Sequence, residues 1–439
     1  MVHDCAIAHV ALTIGHLSRF QTNLITVPLF TGIIGYITNW TGVLMMFRPL
    51  KFHGVRVPGL KVLFPLLPRR VQVLPAVRGD GRFGWQGIIP SRADKMASIA
   101  VDKGLSKLGS IGDFYRELEP DRIAEHLTRT ARDEVRETVE RIMWRENPQL
   151  WRDLPPVVKD AVHARVQQQV PGLAHKLTSA IGENIDQLVD AKLMVISYFE
   201  QHPELLNELF WKVGKKELRF MQSFGFYFGF PMGFGVAVLI QLVPQWWVLP
   251  LCGVLIGWVV NYVGIAMIFE PLTPRWYVPW RQGLFIKRQQ EVTEVYAQLI
   301  ADNVITLENV GHELLTGPRS DRTRAMLEST LRPAIDSAVG PARLAVRVAV
   351  GTKRYDRIRN SVAAEVGELT PAVLADVEFN RRQSRKIFAF IRTQMSKMDP
   401  AGFSELLRSA IKQDEWLLFV HGGVLGLFAG LLHLAIFGI

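Results

Sequence analysis

Four uninterrupted apolar runs stand out along the chain, at residues 24–47, 224–243, 246–269 and 416–439, and none contains Asp, Glu, Lys or Arg. A bilayer core of about 30 Å needs roughly 20 such residues per helix, so each run is long enough to cross. The intervening segments 48–223 and 270–415 are polar and carry a different rhythm. In Asp121–Arg145, for example, Ile123, Leu127, Ala131, Val135 and Val139 recur at helical spacing with charged residues on the other faces. No run of alternating apolar residues suggests a sheet of any size. Pro155–Pro156, Pro171–Gly172 and Pro203 punctuate the first segment; Gly317–Pro318, Gly340–Pro341 and Pro371 punctuate the second. The pattern predicts an all-α membrane protein: four transmembrane helices, with a long helical arm at 48–223, another at 270–415, and coiled-coil-like packing of the arm helices. Residues 1–23 form an N-terminal segment whose apolar stretch 5–17 is short and holds two histidines, the mark of an interfacial helix. It has neither the basic start nor the cleavage site of a signal peptide, so the N-terminus is expected to stay.

Composition agrees with the pattern. Of 439 residues, 49% are apolar and only 21% charged, a balance that excludes disordered and ordinary soluble classes. Two cysteines, Cys5 and Cys252, cannot build a disulfide framework or a paired-cysteine metal site. The net charge of +10 matters through its placement. Arg48, Lys51, Arg56 and Lys61 follow the first run; Lys212, Lys215, Lys216 and Arg219 precede the second; Arg275, Arg281, Lys287 and Arg288 follow the third; Lys397, Arg408 and Lys412 precede the fourth. Only Arg19 lies on the other side. Lys and Arg flanking spans stay cytoplasmic during insertion, so both termini are expected outside and both arms inside.

The chain also matches itself. Gly35–Leu50 (GYITNWTGVLMMFRPL) aligns with Gly257–Leu272 (GWVVNYVGIAMIFEPL) at an offset of 222. Trp85, Gln86, Gly87, Ile88 and Arg92 parallel Trp280, Gly283, Leu284 and Arg288 further on. Gly225, Gly229 and Gly233 correspond to Gly422, Gly426 and Gly430. Two parallel repeats, each crossing twice, predict a pseudo-two-fold four-helix bundle.

Those three motifs, in the same order twice, resemble the bacterial inner-membrane proteins of domain-of-unknown-function family 445. The resemblance covers nearly the whole chain and implies a helical inner-membrane protein. It brings no activity to transfer onto residues. The insertion at 51–80, much longer than its counterpart in the second copy, departs from the repeat.

Several residues invite a chemical reading. Asn39 and Asn261 are polar groups in apolar helices, either a site on the pseudo-axis or interhelical hydrogen-bond glue. The ladders Gly225/Gly229/Gly233 and Gly422/Gly426/Gly430, with Gly35, Gly42, Gly257 and Gly264, mark close helix packing. An outward-facing ladder would instead join two copies as a homo-oligomer. Between Arg48 and Arg82, eight basic residues face Asp80 alone, interleaved with apolar ones. That combination beside a span end is what anionic lipid attracts, and Arg56, Lys61, Arg69 and Arg70 are the expected headgroup contacts. No nucleic-acid motif accompanies the charge. Trp85 and Trp280 suit the role of interfacial anchors. His421 and His433 are too far apart to share a metal, and the spans hold no carboxylate for a proton relay. No nucleotide, protease or hydrolase motif occurs. The expectation is a non-enzymatic protein without metal or cofactor, a scaffold or envelope-maintenance factor whose arms hold lipids or a protein partner. A transporter of lipid or small solute past the two asparagines is the alternative.

Overall fold

The computed structural model describes residues 19–72, 74–339, 351–353, 355–358, 360–362 and 376–438. The 5–17 stretch, Cys5, Gly340–Pro341 and Pro371 lie outside the described residues. The chain divides into two compact units: Met1–Ala100 with Phe199–Val292 and Met398–Ile439, and Val101–Tyr198 with Thr293–Lys397. Each polar segment of the sequence thus contributes to both.

The first unit holds the four long apolar helices: Arg19–Phe47, Pro203–Leu242, Val248–Phe269 and Glu415–Phe437. All four are long and apolar enough to span a membrane. The second starts well before its apolar run. Pro203 opens it at a position where the missing N–H costs nothing, and Leu206, Leu209, Val213, Leu218 and Met221 keep one face buried up to the charge-free stretch. A short turn joins Leu242 to Val248. The first span packs along the second and the third along the fourth.

Missing side chains set the spacing of those pairs. A Cβ on Gly35 would fall on the carbonyl of Gly225, and one on Gly225 would fall on that of Gly35. Gly257 and Gly422 stand in the same mutual relation, as do Gly253 and Gly426. Gly229 lies against the Thr31 carbonyl, Gly233 against Pro28 and Gly430 against Pro250. Gly42 and Gly264 have only ordinary van der Waals neighbours. Between the pairs, Phe224, Val236, Val248, Cys252 and Val260 form an apolar cluster.

A small ribbon is present where no strand was expected. β1 (His53–Arg56) pairs antiparallel with β2 (Arg82–Trp85), from His53 opposite Trp85 to Arg56 opposite Arg82. Strands of four residues are too short to show a readable alternation.

The second unit is built of helices. Pro120–Glu146 packs on Pro156–Leu188, which packs in turn on Ser320–Val339 around Leu177, Leu327 and Leu331. Pro155–Pro156 and Gly317–Pro318 bound helices as read. Pro171 does not: the 33-residue helix Pro156–Leu188 runs through it, held by its packing on both neighbours. A capping box of Ser110 and Asp113 starts Ile111–Glu117.

Candidate functional site

The chemistry of the first unit concentrates at the base of the bundle, where the first and third spans end at Phe47 and Phe269. Each is followed by a cis proline, Pro49 or Pro271, whose carbonyl is then used identically. Gly87 N–H donates to the Pro49 oxygen at 2.9 Å and Gly283 N–H to the Pro271 oxygen at 3.0 Å. The amides of Gln86 and Gln282 donate to Leu50 and Leu272, both at 2.8 Å. Gly87 and Gly283 lie so close to the ends of these spans that a Cβ would stand 2.8 Å from the carbonyl carbon of Phe47 or Phe269. These contacts seat the short helices Ile88–Ser91 and Leu284–Lys287, and so place Arg92 and Arg288.

The two arginines then cross over. Arg288 pairs with Glu217 on the second span's helix, and Arg92 pairs with Asp414 at the start of the fourth. Both acids are buried, Glu217 at 2% exposure and Asp414 at 5%. A buried carboxylate persists only with a partner, so each pair ties one half of the bundle to the other. Burial pushes the Asp414 carboxyl up, while Arg92 and Lys95 oppose the rise. Hydrogen bonds from Arg288, then Lys216, hold Glu291 down at about 2. The pairs flank an apolar cavity of about 80 Å³ lined by Met46, Ile89, Phe210, Ile265, Phe285 and Leu407, among others. Arg408 adds a further junction, bonding Glu415 at 2.9 Å and Glu270 at 2.6 Å.

Above the base, each asparagine is engaged within its own helix pair. Asn39 Nδ2 donates to the Met221 carbonyl at 2.6 Å, and Asn261 Nδ2 donates to that of Leu418 at 2.7 Å. The oxygen of Asn39 has no hydrogen-bond partner among the described residues. It lines, with His433, a cavity of about 50 Å³. The two histidines of the fourth span meet threonines of the first: His421 Nε2 is 3.0 Å from Thr41 Oγ1, and His433 Nε2 is 3.3 Å from Thr26 Oγ1. Among the described residues no cluster of His, Cys, Asp and Glu could hold a metal.

The loop after the first span leaves part of its apolar set on the surface, while Leu60, Phe64 and Leu67 are half-buried. Val55, Val62 and Leu66 are 70%, 77% and 79% exposed, beside the exposed Lys51, Arg56 and Lys61. Arg69 and Arg70 begin a short helix, Arg69–Gln72; their side chains lie outside the described residues. Trp85 and Trp280 are not used alike. Trp85 Nε1 bonds Met45 O at 3.4 Å, whereas Trp280 Nε1 bonds Glu270 O at 2.7 Å. With Gln86 and Gln282 in the same place, the tryptophans are one residue out of register.

Sequence reasoning missed the crossed ion pairs, although a signal existed. Glu217 and Asp414 are separated by 197 residues, the same offset as the glycine ladders, and Arg92 and Arg288 fall in the matched segments that follow the first and third spans.

No family model matches the chain, and no solved structure matches it. It is similar to a UPF0754 membrane protein of Synechococcus sp. (strain JA-3-3Ab), 25% identical over 181 residues that cover 36% of this chain and 43% of the relative. A UPF0754 membrane protein of Staphylococcus epidermidis is 35% identical over 66 residues, 14% of this chain and 18% of that one. The matches thus span less than half the length of either relative. Their names state a membrane location and no activity. With four apolar helices of spanning length, the chain is, like them, a membrane protein.

Proposed function

We propose that this protein is a non-enzymatic scaffold or envelope-maintenance factor of the bacterial inner membrane, of the kind grouped in family 445. In this reading both termini lie outside and the two large polar segments are cytoplasmic. The observation that carries the reading is the loop 51–80. It presents Val55, Val62 and Leu66 to solvent among Lys51, Arg56 and Lys61, immediately after a span. Such a surface suits the anionic cytoplasmic leaflet, to which each near-surface charge adds about 1 kcal/mol of attraction. Arg56, Lys61, Arg69 and Arg70 contact headgroups, and the helical unit is left to hold a protein partner.

The internal match is read as a duplication with a pseudo-two-fold axis along the membrane normal. Matched residues make matched contacts: Asn39 with Met221 and Asn261 with Leu418, Gly35 with Gly225 and Gly257 with Gly422. These contacts support the packing role for the asparagines and glycines, and leave the scaffold rigid.

The experiment is native mass spectrometry with lipid analysis on gently extracted full-length protein, beside a variant with Arg56, Lys61, Arg69 and Arg70 changed to Gln. Retained anionic lipid that the variant loses is the expected result. Equal lipid content in both proteins would refute the loop assignment.

One observation favours the second reading, a transfer device for a lipid or small solute. Thr26 donates its own hydroxyl proton to Thr22 O at 2.9 Å, so the His433 ring supplies the proton in their contact and its Nδ1 is left a buried, unpartnered acceptor. With Asn39 Oδ1 it gives the small cavity a polar lining inside an apolar bundle. Under transport, Asn39→Leu with Asn261→Leu abolishes function in a protein that still inserts and folds. Under scaffolding that pair is tolerated while deletions in the arms are not.

A further inference from the structure

We infer that the helical unit formed by residues 101–198 and 293–397 carries a binding groove for a phosphate ester that also bears a hydroxyl group. The groove lies between helix Pro120–Glu146 and helix Val377–Ser396. Each helix contributes residues at the same spacing, so that one face of each is turned to the other: Arg122, Glu125, His126 and Arg129 on the first, Phe379, Arg382, Gln383 and Lys386 on the second.

The floor and the rim differ in chemistry. On the floor, the His126 ring lies flat on Phe379, centroids 4.0 Å apart and planes within 5°. Beside it sits Gln383, 3% exposed, whose Oε1 has no hydrogen-bond partner among the described residues. A buried amide oxygen left unpaired costs free energy that a ligand donor recovers. Around the rim stand Arg122, Arg129, Arg382 and Lys386, with Glu125 the only acid among the described lining residues, and Asp376 Oδ2 lies 3.8 Å from the floor histidine, His126 Nε2. Arg122 is taken up by Glu125 at 3.0 Å, and Lys386 is paired with Glu119. Arg382 lies over the Phe379 ring at 5.8 Å and is only 3.9 Å from Glu378. Arg129 has no ion-pair partner among the described residues. The space enclosed is about 360 Å³, ample for a small phosphate ester and within the range of small-molecule sites. Guanidinium groups match phosphate oxygens in geometry as well as charge, while the free amide oxygen asks for a donor that inorganic phosphate supplies poorly and a polyol ester supplies well.

The source of the phosphate is either a soluble ester or the glycerophosphate headgroup of a lipid, and one experiment separates them. Full-length protein in phosphatidylcholine nanodiscs is titrated calorimetrically with sn-glycerol 3-phosphate and with inorganic phosphate. Saturable binding of both is expected, tighter for the ester. Arg129→Gln with Arg382→Gln is expected to weaken both by about tenfold or more. Gln383→Leu is expected to reduce the preference for the ester while leaving inorganic phosphate nearly unchanged. Nanodiscs containing phosphatidylglycerol that block the added ester identify a lipid source; undiminished ester binding there identifies a soluble one. Absence of saturable binding, an arginine double variant that binds like the parent while retaining its circular dichroism, or equal loss of both probes in Gln383→Leu would each overturn the assignment. So would displacement of the ester by a short single-stranded oligonucleotide, which would make the groove a polyanion surface instead.

Discussion

Two seams hold the paired helices of the bundle together, and they are made of different material. Between the second and third spans, Phe224, Val236, Val248 and Val263 pack as part of one apolar cluster. At the matching positions between the first and fourth spans stand His421, His433, Thr26 and Thr41, which meet as two imidazole–hydroxyl contacts. The base shows a similar divergence. Trp211 lies edge-on to Phe47, with ring centroids 5.4 Å apart, whereas Arg408, at the position matching Trp211, lies 5.4 Å over Phe269 and bonds Glu270 and Glu415. What stays the same is backbone geometry enforced by Gly, Asn, Pro and Arg. What differs is side-chain filling, which many residues satisfy provided volume and polarity are matched.

The common elements are where the largest effects are expected. Gly35→Leu or Gly257→Leu drives a side chain into a facing backbone carbonyl that cannot yield, so the helix pair must separate; a loss of about 3 kcal/mol or more is expected. It would show as failure to accumulate, or as early unfolding in a denaturant series in detergent. Equal damage in both halves is the expected outcome. Tolerance in one half alone would break the comparison at its strongest point.

Next come the crossed ion pairs. Arg92→Ala leaves Asp414 buried without its partner, at a cost of about 3–5 kcal/mol, whereas Arg92→Met with Asp414→Leu is expected to come within about 1–2 kcal/mol of the parent. The pH dependence has a definite sign. Asp414 titrates above the ordinary carboxylate value in the folded protein, so the folded state favours its protonated form. Stability attached to this group is then highest in acid and falls as pH rises through the raised value. Removing Arg92, which opposes the rise, steepens that fall. The Arg92→Ala variant should therefore recover part of its loss at pH 5 relative to pH 8, measured by thermal unfolding in the same detergent. Glu291 behaves oppositely. It is held at about 2 by Arg288 and Lys216, so its contribution is present above the usual carboxylate range and lost as pH falls toward 2. Being largely exposed, it is worth no more than about 1 kcal/mol, and Glu291→Gln should fall within that limit.

These predictions also mark what the chain discloses by inspection. The spans and the tight glycines were legible because a bilayer imposes length and apolarity, and close packing imposes small residues, at each position separately. The partners of Asn39 and Asn261 were legible only as a choice between glue and site, since the sequence does not say which carbonyl a side chain meets. The Arg92–Asp414 pair joins residues 322 positions apart, and its mate uses Glu217 in place of Asp, so the match in offset went unnoticed among scattered charges. The groove of the helical unit was less legible still. Arg122 and Arg129 belong in sequence to the charged faces of Asp121–Arg145, nothing in the sequence singles out Arg382 or Lys386, and only the apposition of two helices makes the four converge.

The smallest expected effect is the most informative about the polar seam. Replacing His433 by Val and Thr26 by Val copies the matched pair Val236 and Val248 into the seam between the first and fourth spans. Hydrogen bonds between membrane helices are worth only about 1 kcal/mol, and the exchange also removes the unpartnered Nδ1 from the small cavity. Stability should therefore change by no more than about 1 kcal/mol in either direction, read as the midpoint of unfolding in detergent. A scaffold whose polar seam keeps only the His421–Thr41 contact should work as well as the parent. If instead the double variant folds normally and loses function, the polarity of that seam is itself required, and the transfer reading displaces the scaffold.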